Sequence, residues 1–180
     1  YRDVNLWTGK GVYISHDKMR ITTLSVNDDM AVLEVCAQLK NIIGHGLEAE
    51  CLIEIKKDGQ KTASDTQRVV FRSEQMQAVR VQIPIEHPKK WSPKQPALYE
   101  CHITTKFDDE ICDEAVSNFG IRVLALDPVH GLQINGETVK LRGTCIHHDN
   151  GVIGAETFKE AEWYRCKRLK EAGFNAIRSA

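Results

Sequence analysis

From residue 13 to residue 124 apolar and polar side chains alternate with a period of two, one segment after another, and over such a length that period points to strands with one buried face. Ala31, Leu33, Val35, Ala37 and Leu39 form one apolar row, and Ala49, Cys51, Ile53 and Ile55 form the next. A third row is Val79, Val81, Ile83 and Ile85, and a fourth is Tyr99, Cys101, Ile103, Thr105 and Phe107. Phe119, Ile121 and Val123 close the series. Asp58-Gly59, after the second row, tolerates the positive φ of a tight hairpin turn, and the acidic turn Asp108-Asp109-Glu110 separates the last two rows. About seven strands in roughly 110 residues predict an immunoglobulin-like sandwich over residues 13–124.

Between the third and fourth rows, the prolines of His87-Pro88-Lys89-Lys90-Trp91-Ser92-Pro93-Lys94-Gln95-Pro96 forbid a central strand. They predict an ordered corner, with Trp91 as its plug rather than as a platform for a sugar. Tyr99-Glu100-Cys101 has the spacing of the tyrosine corner of antibody domains. Trp91, however, lies in a connection, and Cys36 is in phase with Glu34 and Gln38, so no antibody-type disulfide is expected.

From residue 125 the pattern changes. Residues 132–141 read as a hairpin around Asn135-Gly136, whose second strand runs on through Arg142 to His147. The period then becomes helical. Thr157 and Glu160 fit a capping box, and Phe158, Ala161, Cys166, Leu169 and Ala172 fall on one stripe of a helix that stops at Gly173. Residues 174–178 resume as a strand, and the helical crossover predicts parallel pairing. The fold class is therefore mainly β: a sandwich followed by the first elements of a β/α domain. The chain does not begin with Met and breaks off within a strand, so it is expected to be an internal piece of a longer protein.

The 180 residues carry 25 acidic and 24 basic side chains, a formal net charge of -1. That balance supplies no field to hold a polyanion or a membrane surface, so neither nucleic acid nor membrane is expected as a partner. No apolar run approaches the roughly 18 residues that span a bilayer. Cys36, Cys51, Cys101, Cys112, Cys145 and Cys166 form no CxxC pair, which excludes a zinc ribbon. Cys51 and Cys101 are in phase with core residues, and the set predicts free thiols in a reducing compartment, favouring the cytoplasm.

The densest polar cluster is Cys145-Ile146-His147-His148-Asp149-Asn150-Gly151, where the first β/α strand ends and where ligands bind in such folds. Three readings stand for it. Histidine and aspartate could hold a metal, but no third ligand has a recognisable spacing. Cys145 and His147 could form a nucleophile pair, but nothing supplies an oxyanion hole or a lowered thiol pKa. The third reading is a polar turn hinged at Asn150-Gly151. Arg178, at the end of the second parallel strand, would lie on the same rim as His147, and its alternative is a solvated arginine at a strand end. Asp108, Asp109, Glu110, Asp113 and Glu114 read as a solvated acidic turn.

The stretch HGLQINGETVKLRGTCIHHDNGVIGA, then a helix, then GFNAIRSA, resembles the opening of the catalytic barrel in glycoside hydrolase family two. YRDV resembles the end of that family's N-terminal sugar-binding domain. WSPKQPALYE resembles its W-S-P-x-x-P-x-L-Y signature, and NFGIRVLALDPVHGL resembles its sandwich-to-barrel junction. The resemblance covers essentially the whole chain and implies three parts: a tail of the first domain over 1–12, an immunoglobulin-like sandwich over 13–124, and the start of a (β/α)8 barrel over 125–180. It also implies retaining hydrolysis of β-linked sugars by two glutamates about 5 to 5.5 Å apart, both beyond Ala180, so this chain alone is expected to be inactive. His147 matches the histidine of the family's R-G-x-N-x-H strand, which lines the sugar pocket. Arg178 matches the arginine of its N-A-x-R strand, which faces the nucleophile. Cys145 departs from the pattern, since many members have Asn there. No cofactor and no metal is implied.

The expected partner is thus a carbohydrate substrate of the intact enzyme. The rival expectation is a non-catalytic immunoglobulin-like carbohydrate-binding or adhesion module. Leu141, Ile146, Phe158, Leu169, Phe174 and Ile177 would lack partners in an unfinished barrel, which predicts partial disorder of residues 125–180, a homo-oligomer, or association through that segment.

Overall fold

Val, Ile and Thr recur along the alternating rows, and their branched side chains pack readily on a pleated surface. The computed structural model describes residues 4, 6, 8–73 and 75–179. Of the expected tail over 1–12, Tyr1, Arg2, Asp3, Asn5 and Trp7 lie outside the described residues, as does Ala180 of the closing motif. The sandwich strands are β1 (Val12–Ile14), β2 (Arg20–Val26), β3 (Met30–Asn41), β4 (Leu47–Lys57), β5 (Gln60–Phe71), β6 (Met76–Glu86), β7 (Tyr99–Phe107) and β8 (Glu110–Phe119). They form two four-stranded antiparallel sheets. In one, β6 lies along one side of β3 while β1 and β2 share the other, β1 beside residues 39–41 and β2 beside residues 31–36. In the other the order is β5-β4-β7-β8.

That makes eight strands in the two sheets among the described residues, where the periodicity predicts about seven. The weakest pattern is that of β2, which carries no buried residue and shifts register between Thr23 and Ser25. Asp58 and Gly59 (φ 51° and 79°) and Asp108 and Asp109 (φ 51° and 62°) take positive φ at both central positions of their hairpin turns, a conformation that matches the strand twist. The core is built from the expected rows. Ala31, Leu33, Val35, Ala37 and Leu39 of β3 face Ala49, Cys51, Ile53 and Ile55 of β4, together with inward residues of β6 and β7.

Among the described residues two polar side chains, Thr105 and Asn41, are fully buried, and both are satisfied. Thr105 Oγ1 donates to the Val12 carbonyl at 2.8 Å, tying β1 across the sandwich. Asn41 Nδ2 donates to the carbonyls of His45 and Arg72 at 2.7 and 3.2 Å, and its Oδ1 accepts from the Ile43 amide at 2.9 Å. The tyrosine corner closes: the Lys89 amide donates to Tyr99 Oη at 2.9 Å. All six cysteines are free, with Cys51 and Cys101 buried and Cys36 half-buried beside Glu34.

Three expectations are corrected. Phe119, Ile121 and Val123 are not one strand: β8 ends at Phe119, although Ile121 is fully buried. The chain leaves the sheet at Gly120 to pass Trp91, which approaches that backbone so closely that a Cβ there would lie 2.7 Å from the indole. Asp113 does not belong to a solvated turn, because it sits within β8 and its Oδ2 accepts from the Ile14 amide at 2.8 Å. The hairpin around Asn135-Gly136 does not run on to His147. It stops at Thr138, within a three-stranded sheet of β9 (Leu124–Asp127), β10 (Gly131–Ile134) and β11 (Glu137–Thr138).

Asn135 brackets that small sheet to the proline corner. Its amide donates to the Val123 carbonyl at 2.9 Å, its Oδ1 accepts from the Val123 amide at 3.0 Å, and its Nδ2 donates to the Trp91 carbonyl at 2.9 Å. Trp91 in turn donates its amide to the Ile121 carbonyl at 2.9 Å. Its half-buried indole lies under the Arg122 guanidinium, 4.2 Å from the ring centroid, which is the place of a plug.

Candidate functional site

The second unit of the chain is a strand, a helix and a strand: β12 (Gly143–Ile146), α1 (Lys159–Glu171) and β13 (Ala176–Ser179). A helical crossover returns the chain in the same direction, and β12 and β13 pair in parallel, Gly143 with Ala176, Thr144 with Ile177, Cys145 with Arg178 and Ile146 with Ser179. Asn175 sets that register from just outside the sheet. Its Oδ1 accepts from the Arg142 amide at 2.7 Å, its Nδ2 donates to the Lys140 carbonyl at 2.9 Å, and its own amide donates to the Arg142 carbonyl at 3.0 Å.

The helix begins and ends differently at the level of side chains. The capping box at Thr157 and Glu160 does not form: Phe158 is the N-cap, and no side chain caps the first turn. Starting one residue later than expected moves Thr157 out of reach of the orphan amides. The C-terminus closes as expected, with Gly173 (φ 89°) donating to the Lys170 carbonyl and Phe174 to the Leu169 carbonyl, both at 3.0 Å. Of the expected apolar stripe, Ala161 and Leu169 are half-buried, while Phe158, Cys166 and Ala172 are exposed. Leu141, Phe158, Phe174 and Ile177 are 60%, 52%, 36% and 42% exposed.

Because residues in register on parallel strands project to the same face, Cys145 and Arg178 share one face of the pair, and Thr144 and Ile146 lie on the other. Cys145 and Arg178 are both exposed, while on the other face Thr144 and Ile146 are half-buried and Ile177 and Ser179 exposed. Arg178 is the third residue of β13. His147 is the first residue after β12, exposed, and its carbonyl accepts the Asp149 amide at 2.8 Å, which turns the chain away from the strand direction. Both sequence-predicted residues therefore lie at the C-terminal rim of this two-stranded sheet. Among the described residues no group of three or more His, Cys, Asp or Glu comes together that could hold a metal ion.

Two residues brace this unit without having been singled out from the sequence: Asn175, just before the N-terminal end of β13, and Arg165, on α1. In the sequence Asn175 reads as part of the resuming strand and of the N-A-x-R motif, although a polar residue just before an apolar run is a natural clamp for the neighbouring backbone. Arg165 belongs to no motif of the sequence. Its guanidinium reaches from α1 to the loop after β12, donating to the His147 carbonyl at 3.3 Å and to the Asp149 carbonyl at 3.0 Å.

Comparison with known proteins agrees with this architecture. Residues 12–122 match the family described as glycosyl hydrolases family 2. A beta-galactosidase of Bacteroides ovatus is 28% identical over 187 residues, covering 97% of this chain and 21% of that protein. A family 2 glycosyl hydrolase from Bacteroides cellulosilyticus superposes with a TM-score of 0.89 at 31% identity, over 94% of this chain and 22% of the other. The beta-glucuronidase of Bacteroides uniformis shares the fold, with a TM-score of 0.84 at 24% identity over 94% of this chain and 21% of its own. The chain thus spans about a fifth of the length of these relatives. On the match of residues 12–122, which is more than half of its length, the chain belongs to glycosyl hydrolases family 2.

Proposed function

We propose that the chain is an internal part of a retaining glycosidase that cleaves β-linked sugars, β-galactosidase-like. Its parts are a tail of a preceding domain over 1–12, the supporting sandwich over 13–124, and the opening of a (β/α)8 barrel over 125–180. The observation that carries this reading is the parallel register of Cys145 with Arg178. It sets the arginine near the C-terminal end of β13 and leaves His147 directly past the C-terminal end of β12, on the rim where barrel enzymes bind their ligands. In that position Arg178 holds a catalytic carboxylate ionised by its charge. His147 offers a hydrogen bond to a sugar hydroxyl as charge develops at the reacting centre.

The exposed apolar groups Leu141, Phe158, Phe174 and Ile177 support the same reading, since a two-stranded opening leaves them for the rest of the barrel or for a second copy of the chain to cover. The rival reading, a carbohydrate-binding or adhesion module, needs an open aromatic platform, and Trp91 is half-buried beneath Arg122 and against Gly120.

The test is hydrolysis of nitrophenyl β-galactoside and β-glucuronide by the whole protein beside the 180-residue chain. The whole protein is expected to turn over at least one of them with retention at the anomeric carbon, and the chain alone neither. Hydrolysis by the isolated chain, or none by the whole protein on any β-glycoside, refutes the proposal.

A further inference from the structure

The loop between β12 and α1 has little packing of its own. Its single 3₁₀ turn over Gly151–Ile153 contains no buried residue, and Gly151 and Gly154 hold positive φ angles of 62° and 63°. One turn of α1 reaches across to it. Arg165, with its side chain 23% exposed, places Nη1 3.3 Å from the His147 carbonyl and Nη2 3.0 Å from the Asp149 carbonyl. Glu162, one turn earlier, stands 3.8 Å from the same guanidinium and accepts from Asn150 Nδ2 at 3.3 Å. Asn150 Nδ2 also donates to the Glu156 carbonyl at 2.5 Å, and the Asn150 amide donates to the Gly154 carbonyl at 2.8 Å.

The chemistry of the contact is specific to arginine. A planar guanidinium presents two parallel donors and can hold two carbonyls of one chain at a set spacing, whereas an ammonium acts as a point charge on a flexible stem. The carbonyl of His147 is one of the two. Holding it and the Asp149 carbonyl restricts the peptide planes on both sides of the His147-His148-Asp149 turn, and so the direction from which the imidazole leaves the backbone.

We propose that Arg165 is a positioning residue for His147, clamping the loop backbone so that the imidazole stays at the strand-end rim. The clamp acts through the backbone and touches no substrate. This inference rests on the reading of His147 as a sugar-pocket residue.

The experiment has two arms. In the 180-residue chain, Arg165→Ala is expected to speed amide hydrogen exchange about tenfold at Asp149, Asn150 and Gly154, with Phe174 and Asn175 unchanged. In the whole enzyme, Arg165→Ala is expected to lower kcat about ten- to a hundredfold with a smaller change in KM, the scale of a misplaced catalytic group. Millimolar guanidinium ion is expected to restore much of that rate, and Arg165→Lys little of it.

Unchanged exchange in the loop overturns the proposal. So does faster exchange that extends to Phe174 and Asn175 without guanidinium rescue, which marks Arg165 as a support of the whole helix. His147→Ala, measured alongside, separates the two readings. A slow His147→Ala with a wild-type Arg165→Ala overturns the clamp alone, while a wild-type His147→Ala overturns the pocket reading and the clamp with it.

Discussion

Gly120 and Trp91 approach so closely that a Cβ on residue 120 would lie 2.7 Å from both Cγ and Cδ1 of the indole. The indole has little freedom to retreat, because the Trp91 amide is bound to the Ile121 carbonyl and its carbonyl to Asn135, while Arg122 lies over the ring. Gly120→Ala is therefore expected to destabilise the chain by about 1–3 kcal/mol, the cost of forcing a methyl group into a filled site. Urea unfolding checks it: the midpoint should fall at an unchanged slope. An unaltered midpoint would show that the corner yields easily.

The corner has a second fastening in Tyr99, which is 3% exposed and accepts the Lys89 amide. Tyr99→Phe keeps the ring, which lies 5.8 Å from that of Phe119, and removes only the acceptor. It is expected to cost about 1–3 kcal/mol by leaving the Lys89 amide unpaired. Thermal melts of the two proteins should differ accordingly, and equal melting temperatures would mean that water replaces the hydroxyl.

Asn175 joins β13 to the start of β12 through its side chain as well as its backbone. In Asn175→Ala the amide of Arg142 loses its acceptor, and its exchange is expected to rise about tenfold while the amides of β3 and β7 stay protected. If the Arg142 amide exchanges as before, the register of Cys145 with Arg178 is held by the strands alone.

The six thiols divide by burial. Desolvation pushes Cys51 up to about 12, with the Asp65 charge adding to it, and pushes Cys101 up to about 12, with Cys51 nearby adding to it. In the native chain Cys145 and Cys166 are expected to react first with a disulfide reagent, Cys36 and Cys112 more slowly, and Cys51 and Cys101 only on unfolding. The folded state holds both buried thiols protonated while the unfolded chain ionises near 9, so their contribution is fully present below 9 and is lost as pH rises from there towards 12. Unfolding midpoints that stay level across that range would contradict the burial.

On the proposed reading, in which Arg178 faces the nucleophile, Arg178→Ala in the whole protein is expected to lower turnover about ten- to a hundredfold, the loss of one charged hydrogen bond. A wild-type rate would remove Arg178 from the pocket and take the glycosidase reading of this rim with it.

Much of the fold was legible in the residues because each signal was local. The rows of β3, β4, β6 and β7 state their own buried face through a period of two, and Asp58-Gly59 and Asn135-Gly136 state their turns through the positive φ they tolerate. Gly173 marks its helix end for the same reason. The capping box failed because a side-chain motif predicts a helix start only if the backbone begins there, and α1 begins one residue later. Arg178 and His147, at the strand ends, could be named from order along the chain, whereas the contacts of Asn175, at the other end of the pair, and of Arg165, on α1, could not. Their hydrogen-bond partners lie 33 to 35 and 16 to 18 residues away, at Arg142 and Lys140 and at Asp149 and His147.

By itself the order of side chains determined the buried rows of β3, β4, β6 and β7, the tight turns at Asp58-Gly59 and Asn135-Gly136, and the parallel pairing of two strands across a helix, since periodicity and φ preferences act between near neighbours. Only the tertiary structure decided that β1 and β2 share one side of β3, that Asp113 serves β1 rather than solvent, and that Trp91, Asn135 and Gly120 lock the corner. A polar or aromatic side chain has many possible partners, and the one it takes is whichever the packing of distant segments leaves within hydrogen-bonding or contact distance.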